Sequence, residues 1–566
     1  MSDTLVYDMS MTQEASPSIF VKKDMLTLMD TQNGIYNGGQ CIIDTSQLAN
    51  SNKYVDYRNA YLTMPLMLTC VNTAIDASGN YMAQPDPNVN YMAIGLKNNF
   101  ASIIHSMTLD YAGVTILQQT AMCQMFQNFT LMTTLSLQDI QLNGPTIGFF
   151  PDTAGAVVIT STGATSNNRN GGGIAPIVKA NPNGGAADVL ESISNEGFAA
   201  RQKRLLAGNM MSVTKNLVDQ FYSMLITGTE GLAYQIQAVI RLRDLHPFFN
   251  QIPLLKGVFF RLTLNLNQTT QKIGVNGSTV TNTEQNVPLG GVSMIMFAAK
   301  GTASTNMVDA SGNVLFANEG SAELANGTYQ VALCVGQKPI DALTNQVFSK
   351  IGNAPVSKLA ASVQLNVPSY TFAPSYEESY LASPSKTILY TDIFQYTTPV
   401  ATNTFNFLIT NGIANIKSVL ILPFFAQTGT AVTGQMPWQD PFDPAGCGPT
   451  SQAHIGNFNV VIAGQNMIYN TQKYSYEQYL NQLQGVNSVN GNLINGLTSS
   501  LVNQGDFEKE YCYYYVDCSR GLPIDEAVPK SVMIQGENMS TVNVQYVVFI
   551  EYGIQVTVDV LTGSRI

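Results

Sequence analysis

Residues 437–449 read PWQDPFDPAGCGP and set Asp440 and Asp443 beside Trp438, the only tryptophan of the chain. Two carboxylates near an aromatic ring are the equipment of glycoside hydrolysis, in which one acid protonates the leaving group and a second carboxylate acts across the sugar. The same residues form two Asp-Pro steps. A residue before proline is driven to extended geometry, so a long loop punctuated by turns explains them without chemistry. The loop reading is preferred. A second grouping, Asp244 and His246 with a distant serine, imitates a nucleophile triad, but no GxSxG elbow accompanies it. A strand end leading into HPFFNQIP accounts for it better, and Arg241 and Arg243 beside it are expected to pair with acids in or between subunits.

The remaining candidates are weaker. The three histidines, His105, His246 and His454, are too few and too dispersed for a metal site. Seven cysteines (Cys41, Cys70, Cys123, Cys334, Cys447, Cys512 and Cys518) form no CxxC pair, and their odd number favours free thiols in a reducing compartment. The clusters NGGGI and LGGV lack the Lys-Ser/Thr of a phosphate loop. The densest basic stretch is ARQKRLL at 200–206, with Lys22 and Lys23 elsewhere. These residues can touch nucleic acid, but a solvated helix face is the simpler reading. No residue is assigned a catalytic, cofactor-binding or metal-binding role, and no cofactor is expected.

The background against which these residues sit is unusual. Of 566 residues, 45% are hydrophobic but only 11% are charged, and the net charge is −11. A globular surface normally carries about a quarter charge. With 27 Lys and Arg in all, the chain lacks the basic surface that sequence-specific duplex binding needs. Disorder is also excluded, since 26 Tyr and 25 Phe are present. Residues 111–138, 444–472 and 478–505 contain no Asp, Glu, Lys or Arg. Charge depletion with aromatic enrichment is the signature of interface cores, so subunit contacts are expected there. The first 25 residues carry acids and no apolar h-region, so no signal peptide is expected, and no apolar run approaches the roughly 20 residues of a membrane span.

The elements that must position these residues are mainly strands. Stretches such as 257–267, 291–299, 540–552 and 554–561 alternate or cluster β-branched and aromatic residues between Gly, Pro, Asn and Asp. Helices are expected only at about 120–137, 190–206 and 474–484. The order of blocks is repeated. Residues 98–113 (NNFASIIHSMTLDYAG) resemble 411–426 (NGIANIKSVLILPFFA), 112–130 resemble 463–480, 235–245 resemble 513–523, and 40–48 resemble 387–395. This implies tandem duplication, with a break near 376–385. In the paired helices, Phe126 and Phe129 are expected to pack on the first half as Tyr476 and Tyr479 pack on the second, with the tyrosine hydroxyls reaching a polar rim or a neighbour.

Two β domains in tandem, each with a short helix between mid-sandwich strands, resemble the double jelly-roll major capsid proteins, above all those of polinton-like viruses and virophages. Residues 241–267, 364–396, 406–425 and 514–536 carry the likeness. The resemblance implies an all-β fold of two tandem jelly-roll sandwiches with a few short helices and long loop insertions. Its parts are an N-terminal arm (1–33), a first jelly roll (34–375, insertion about 139–190) and a second (376–566, insertion about 427–457), the arm and first insertion being the least rigid. It also implies a non-enzymatic virion protein, made in the host cytoplasm. Homotrimeric, pseudo-hexagonal capsomers would tile an icosahedral shell around double-stranded DNA. Its partners would be other copies of itself and penton and minor capsid proteins, with no sequence-specific nucleic acid; membrane contact is left open. The alternatives are a viral fibre or carbohydrate-binding sandwich, and a β-sandwich glycoside hydrolase acting through Asp440 or Asp443.

Overall fold

The computed structural model describes residues 20–561 apart from 73–92, 152–196, 202–230, 286–291, 296–306, 309–313, 317–326, 337–349, 356–361, 426–440, 443–452, 469–473, 490–500, 520–527 and interruptions of one or two residues. The first half supplies β1 (Phe20–Met29), β2 (Gln40–Asp44), β3 (Tyr61–Asn72), β4 (Ile104–Tyr111), β5 (Val114–Leu117), β6 (Gly231–Arg241), β7 (Phe260–Leu266), β8 (Thr269–Asn276), β9 (Thr279–Gln285), β10 (Gly327–Val335) and β11 (Gln364–Phe372). The second supplies β12 (Ser385–Thr397), β13 (Thr404–Ile413), β14 (Ile416–Phe425), β15 (Ile455–Ile462), β16 (Gln465–Asn466), β17 (Tyr514–Asp517), β18 (Lys530–Asn538) and β19 (Val544–Asp559).

Strand order fixes the architecture. In the second half the antiparallel sheets run β12-β19-β14-β17 and β13-β18-β15-β16. In the first they run β1-β11-β3-β6 and β2-β7-β4-β5. Numbered within each half, both give 1-8-3-6 against 2-7-4-5, which is the jelly roll. The inward alternation expected of a half-buried sheet is plain in β7, with Phe260, Leu262, Leu264 and Leu266 buried, and in β18. The first half also grows outward. β11 pairs with β3 only over Tyr61–Thr63, and from Leu66 onward β10 takes over the same edge, followed by β8 and β9.

This order corrects the repeat. Residues 112–130 and 463–480 are equivalent, as are β6 and β17 within 235–245 and 513–523. The two other pairings are displaced by one strand. β4, in 98–113, corresponds to β15, whereas β14, in 411–426, corresponds to β3. β2, in 40–48, corresponds to β13, whereas β12, in 387–395, corresponds to β1. Neighbouring sandwich strands share the same apolar alternation, so sliding by one strand leaves the pattern intact. β1 also lies inside the segment read as an arm. Leu28 is buried and its ladder with β11 runs to Met29, so the strand framework begins at Phe20.

The helices hold the second correction. α1 (Cys123–Thr134) and α4 (Tyr476–Val489) each follow the short strand β5 or β16, as the repeat requires. Yet α1 does not pack on the first half alone. Ten of its twelve residues are buried, all round the helix. Cys123 joins the first core and Gln127 Nε2 donates to Leu245 O at 2.6 Å. Phe126 and Phe129 join the second core. The Phe129 ring stacks on Tyr515 with centroids 4.9 Å apart, and Phe126 lies 6.2 Å from Phe549. A charged side chain on any face of such a helix would be desolvated, so burial within one chain accounts for the absence of charge over 123–133. Tyr479 is likewise interior, its ring on Phe507 at 4.5 Å and its hydroxyl 2.9 Å from that of Tyr513, while Tyr476 donates to Val502 O. Neither hydroxyl forms the expected rim.

A further helix, α2 (Leu137–Ile147), opens the segment expected to be a loop insertion from about 139. Ser136 and Asp139 form a reciprocal capping box, and Gly148 ends the helix at φ 71°, where a Cβ would lie 2.6 Å from the Phe100 ring. Residues 152–190 of that insertion, the one at 427–457 except 441–442 and 453–457, and most of the helix expected at 190–206 lie outside the described residues.

Phe129→Ala is expected to cost about 3–5 kcal/mol, the usual loss for a buried phenylalanine. It should destabilise both halves together, because the ring serves one core and its helix is anchored in the other. Urea unfolding followed by circular dichroism checks this; a split into two transitions with the second unmoved contradicts it.

Candidate functional site

A cavity of about 460 Å³ lies where the two halves meet. Its walls come from α1, from the end of β6 with the turn that follows, and from β14, β17 and β19. β6 ends at Arg241, and one helical turn (Leu242–Leu245) redirects the chain. That turn places Arg241 Nε 2.5 Å from Asp244 Oδ2. Burial pushes the Asp244 carboxyl up, and the Arg241 and Arg243 guanidinium groups pull it back. The expected pairing of Arg241 with an acid is therefore made inside one chain.

His246 points the other way. Its Nδ1 accepts the Phe248 N–H at 3.1 Å, and its Nε2 lies 3.3 Å from Asp392 Oδ1. Asp392, 1% exposed, also accepts from Ile393 N at 2.8 Å and from the Tyr552 hydroxyl at 3.3 Å. This carboxylate thus ties a first-half histidine to a second-half tyrosine. Asp244 and His246, two residues apart, serve different partners. With both imidazole nitrogens engaged, His246 has no lone pair free to take a proton from a nucleophile. The geometry is that of a joint rather than of a triad.

Beside it, Ser418 Oγ donates to Glu551 Oε2 at 3.0 Å. Glu551 is partly exposed as a residue, but its carboxyl is enclosed by protein, and this desolvation pushes its pKa up against the opposing pull of Ser418, Thr391, His246 and Lys417. Further bonds cross the same seam. Tyr390 OH donates to Ile116 O at 2.7 Å, Thr120 Oγ1 to Ile393 O at 2.6 Å and Thr391 N to Gln251 Oε1 at 3.0 Å.

The other sequence candidates are scattered. Trp438, Asp440 and Asp443 lie outside the described residues, but Phe442 between them is fully buried. Its carbonyl accepts from Asn98 Nδ2 at 2.6 Å and its ring meets Phe129 and Tyr513, so the loop is pinned into the core at that point. Lys22 pairs with Asp24 at 3.1 Å and Lys23 lies over Tyr370. Of 200–206 only Ala200 and Arg201 are described. Among the described residues no three His, Cys, Asp or Glu side chains gather as metal ligands, and no helix is long and apolar enough to cross a membrane. Cys41, Cys123 and Cys518 are free and buried, and burial raises the first two thiols to about 12. Sequence reasoning missed Glu551 and Tyr552; the visible signal was a lone carboxylate inside the apolar run VVFIEYGIQV.

No family model and no curated protein matches the chain. Among solved structures the chain is similar to that of the Sputnik virophage determined by cryo-electron microscopy, at 12% identity over 98% of this chain and 90% of that one, with a TM-score of 0.49. It is also similar to the mavirus major capsid protein (9%, 99% and 93%, 0.43) and to the Faustovirus major capsid protein (8%, 96% and 92%, 0.40). These scores lie below 0.5, so the jelly-roll architecture rests on the strand order of the chain itself.

Two outcomes are expected. A carboxyl whose folded pKa is raised binds its proton more tightly when folded. Stability contributed by Glu551 is thus full below the ordinary carboxylate value of 4.5 and is lost as pH rises through the folded value. Glu551→Gln should therefore be more stable than the parent at neutral pH and lose that advantage near pH 4, read by thermal melts across pH; an unchanged difference contradicts it. Secondly, Cys41, Cys123 and Cys518 should resist iodoacetamide at pH 8 until the protein is denatured, checked by mass spectrometry of native and urea-treated samples.

Proposed function

We propose that this chain is the major capsid protein of a small double-stranded DNA virus of the polinton-like or virophage kind, acting as a structural and not a catalytic component. The observation that carries the reading is the presence of two complete jelly rolls, with identical internal strand order, locked together in one chain. Three copies around an axis present six sandwiches. A threefold object then has a nearly sixfold outline and can tile a closed shell. The division into domains falls at α3 (Pro374–Leu381), which joins β11 to β12. Shell closure would also engage penton and minor capsid proteins at the fivefold positions.

The physical profile supports this role. A subunit surrounded by neighbours has little use for a charged surface, and 11% charge is low enough to need that explanation. Exposed apolar side chains such as Val21, Met25, Met29, Leu389 and Leu408 remain on the strands of both halves, available for contact. The engaged imidazole of His246 argues against hydrolysis at the one acid–histidine grouping the sequence singled out.

Purified protein should sediment and scatter at three times the chain mass of 61.3 kDa and remain so on dilution, with pseudo-hexagonal particles in electron micrographs. Obligate interfaces of this sort bury more than about 2,000 Å². A dilution-stable monomer, or a monomer that binds oligosaccharide, overturns the reading.

A further inference from the structure

We propose that Arg58, Arg241 and Arg243 form a binding site for a small multivalent oxyanion of the phosphate class at the seam between the two jelly rolls. Arg241 and Arg243 flank Leu242 where β6 ends. Arg58 lies on the approach to β3, three residues before Tyr61, whose rung in the β3–β6 ladder faces Arg241. All three line the seam cavity, and all three also line an adjoining cavity of about 350 Å³. Their side chains therefore form the wall shared by two hollows, one of which opens onto the second half.

The cavity wall carries four carboxylates, Asp139, Asp244, Asp517 and Glu551, against Arg58, Arg241, Arg243 and Lys417, but among the described residues Arg241 alone of these cations forms an ion pair. Arg241 has Asp244. Asp139, the other carboxylate on this side, is engaged by Ser136 in the α2 cap. Arg58 and Arg243 form no ion pair among the described residues. Burial and the neighbouring Arg241 and Arg58 charges disfavour the Arg243 cation, against the opposing pull of Asp244. Across the cavity stand Lys417, Asp517, which accepts from Ser519, and Glu551, which accepts from Ser418 and is also drawn by His246. Three guanidinium groups crowded around the single paired carboxylate of Asp244 carry a repulsive cost, and an anion relieves it. Their planar forks match the oxygens of a phosphate, two bonds at a time. In a chain of net charge −11, general anion attraction is not expected, so binding would be local.

The site goes beyond the capsid reading and does not depend on it, since a monomer carries all three arginines. The test is calorimetric titration of the full chain with inorganic pyrophosphate, and separately with inorganic phosphate, at ionic strength held constant with potassium chloride. Saturable binding at one site per chain is expected, with pyrophosphate the tighter. Arg243→Gln and Arg58→Gln should each weaken it by about tenfold or more. Lys53→Gln, which changes a lysine paired with Asp24, should leave it unchanged. Because Arg58 is exposed, its variant tests the site even if Arg243→Gln fails to fold. Heats no different from those of chloride, binding retained by both arginine variants, or equal loss in Lys53→Gln would each overturn the proposal.

Discussion

The two-stranded ribbon of β12 and β19 belongs to both sandwiches, and most of the molecule depends on that. Thirteen consecutive residue pairs join it, from Ser385 opposite Asp559 to Thr397 opposite Val547. At one end Ile388, Tyr390, Val556 and Val558 are buried in the first core; further along Ile393, Val547, Val548 and Ile550 are buried in the second. α1 makes the reciprocal crossing, giving its cysteine to the first core and its phenylalanines to the second. Two cores that exchange elements in both directions cannot separate without exposing apolar surface on each. The hydrophobic term per unit area then favours one rigid body over two beads on a linker.

Polar groups finish the joint. A purely apolar seam would hold the halves together but would leave their register loose. Asp392 between His246 and Tyr552, and Glu551 under Ser418, demand fixed positions because a buried acceptor without its donor is costly. Their hydrogen bonds tie residues of both halves at fixed positions.

Much of this was legible in the sequence. The β class, the tandem organisation and the helices near 120–137 and 474–484 follow from alternation and punctuation, which are local properties. What escaped was non-local. The repeat was read one strand out of step in two places because jelly-roll strands are interchangeable in pattern; only pairing distinguishes them. Phe126 and Phe129 were placed on the wrong sandwich because an aromatic pair at helical spacing says that a face is buried, not against what. α2 was hidden by Gly144 and Pro145, which read as breakers although its capping box at Ser136 and Asp139 was in view. Phe442 sat unnoticed between two aspartates that drew the eye for their chemistry, and Glu551 was passed over inside an apolar run.

The shared ribbon also dictates an order in time. Domains of multidomain proteins commonly fold as they leave the ribosome, the N-terminal one first. Here the first sandwich cannot close its core on its own residues, because Val556, Val558 and Val560 arrive only after the whole second sandwich has been translated. The nascent first half must wait with part of its interior open. Completion of the first half becomes a late event, so a chain cut short before residue 560 lacks part of its first core, although the second core is complete at Ile550. The topology itself acts as a proofreading step on chain length.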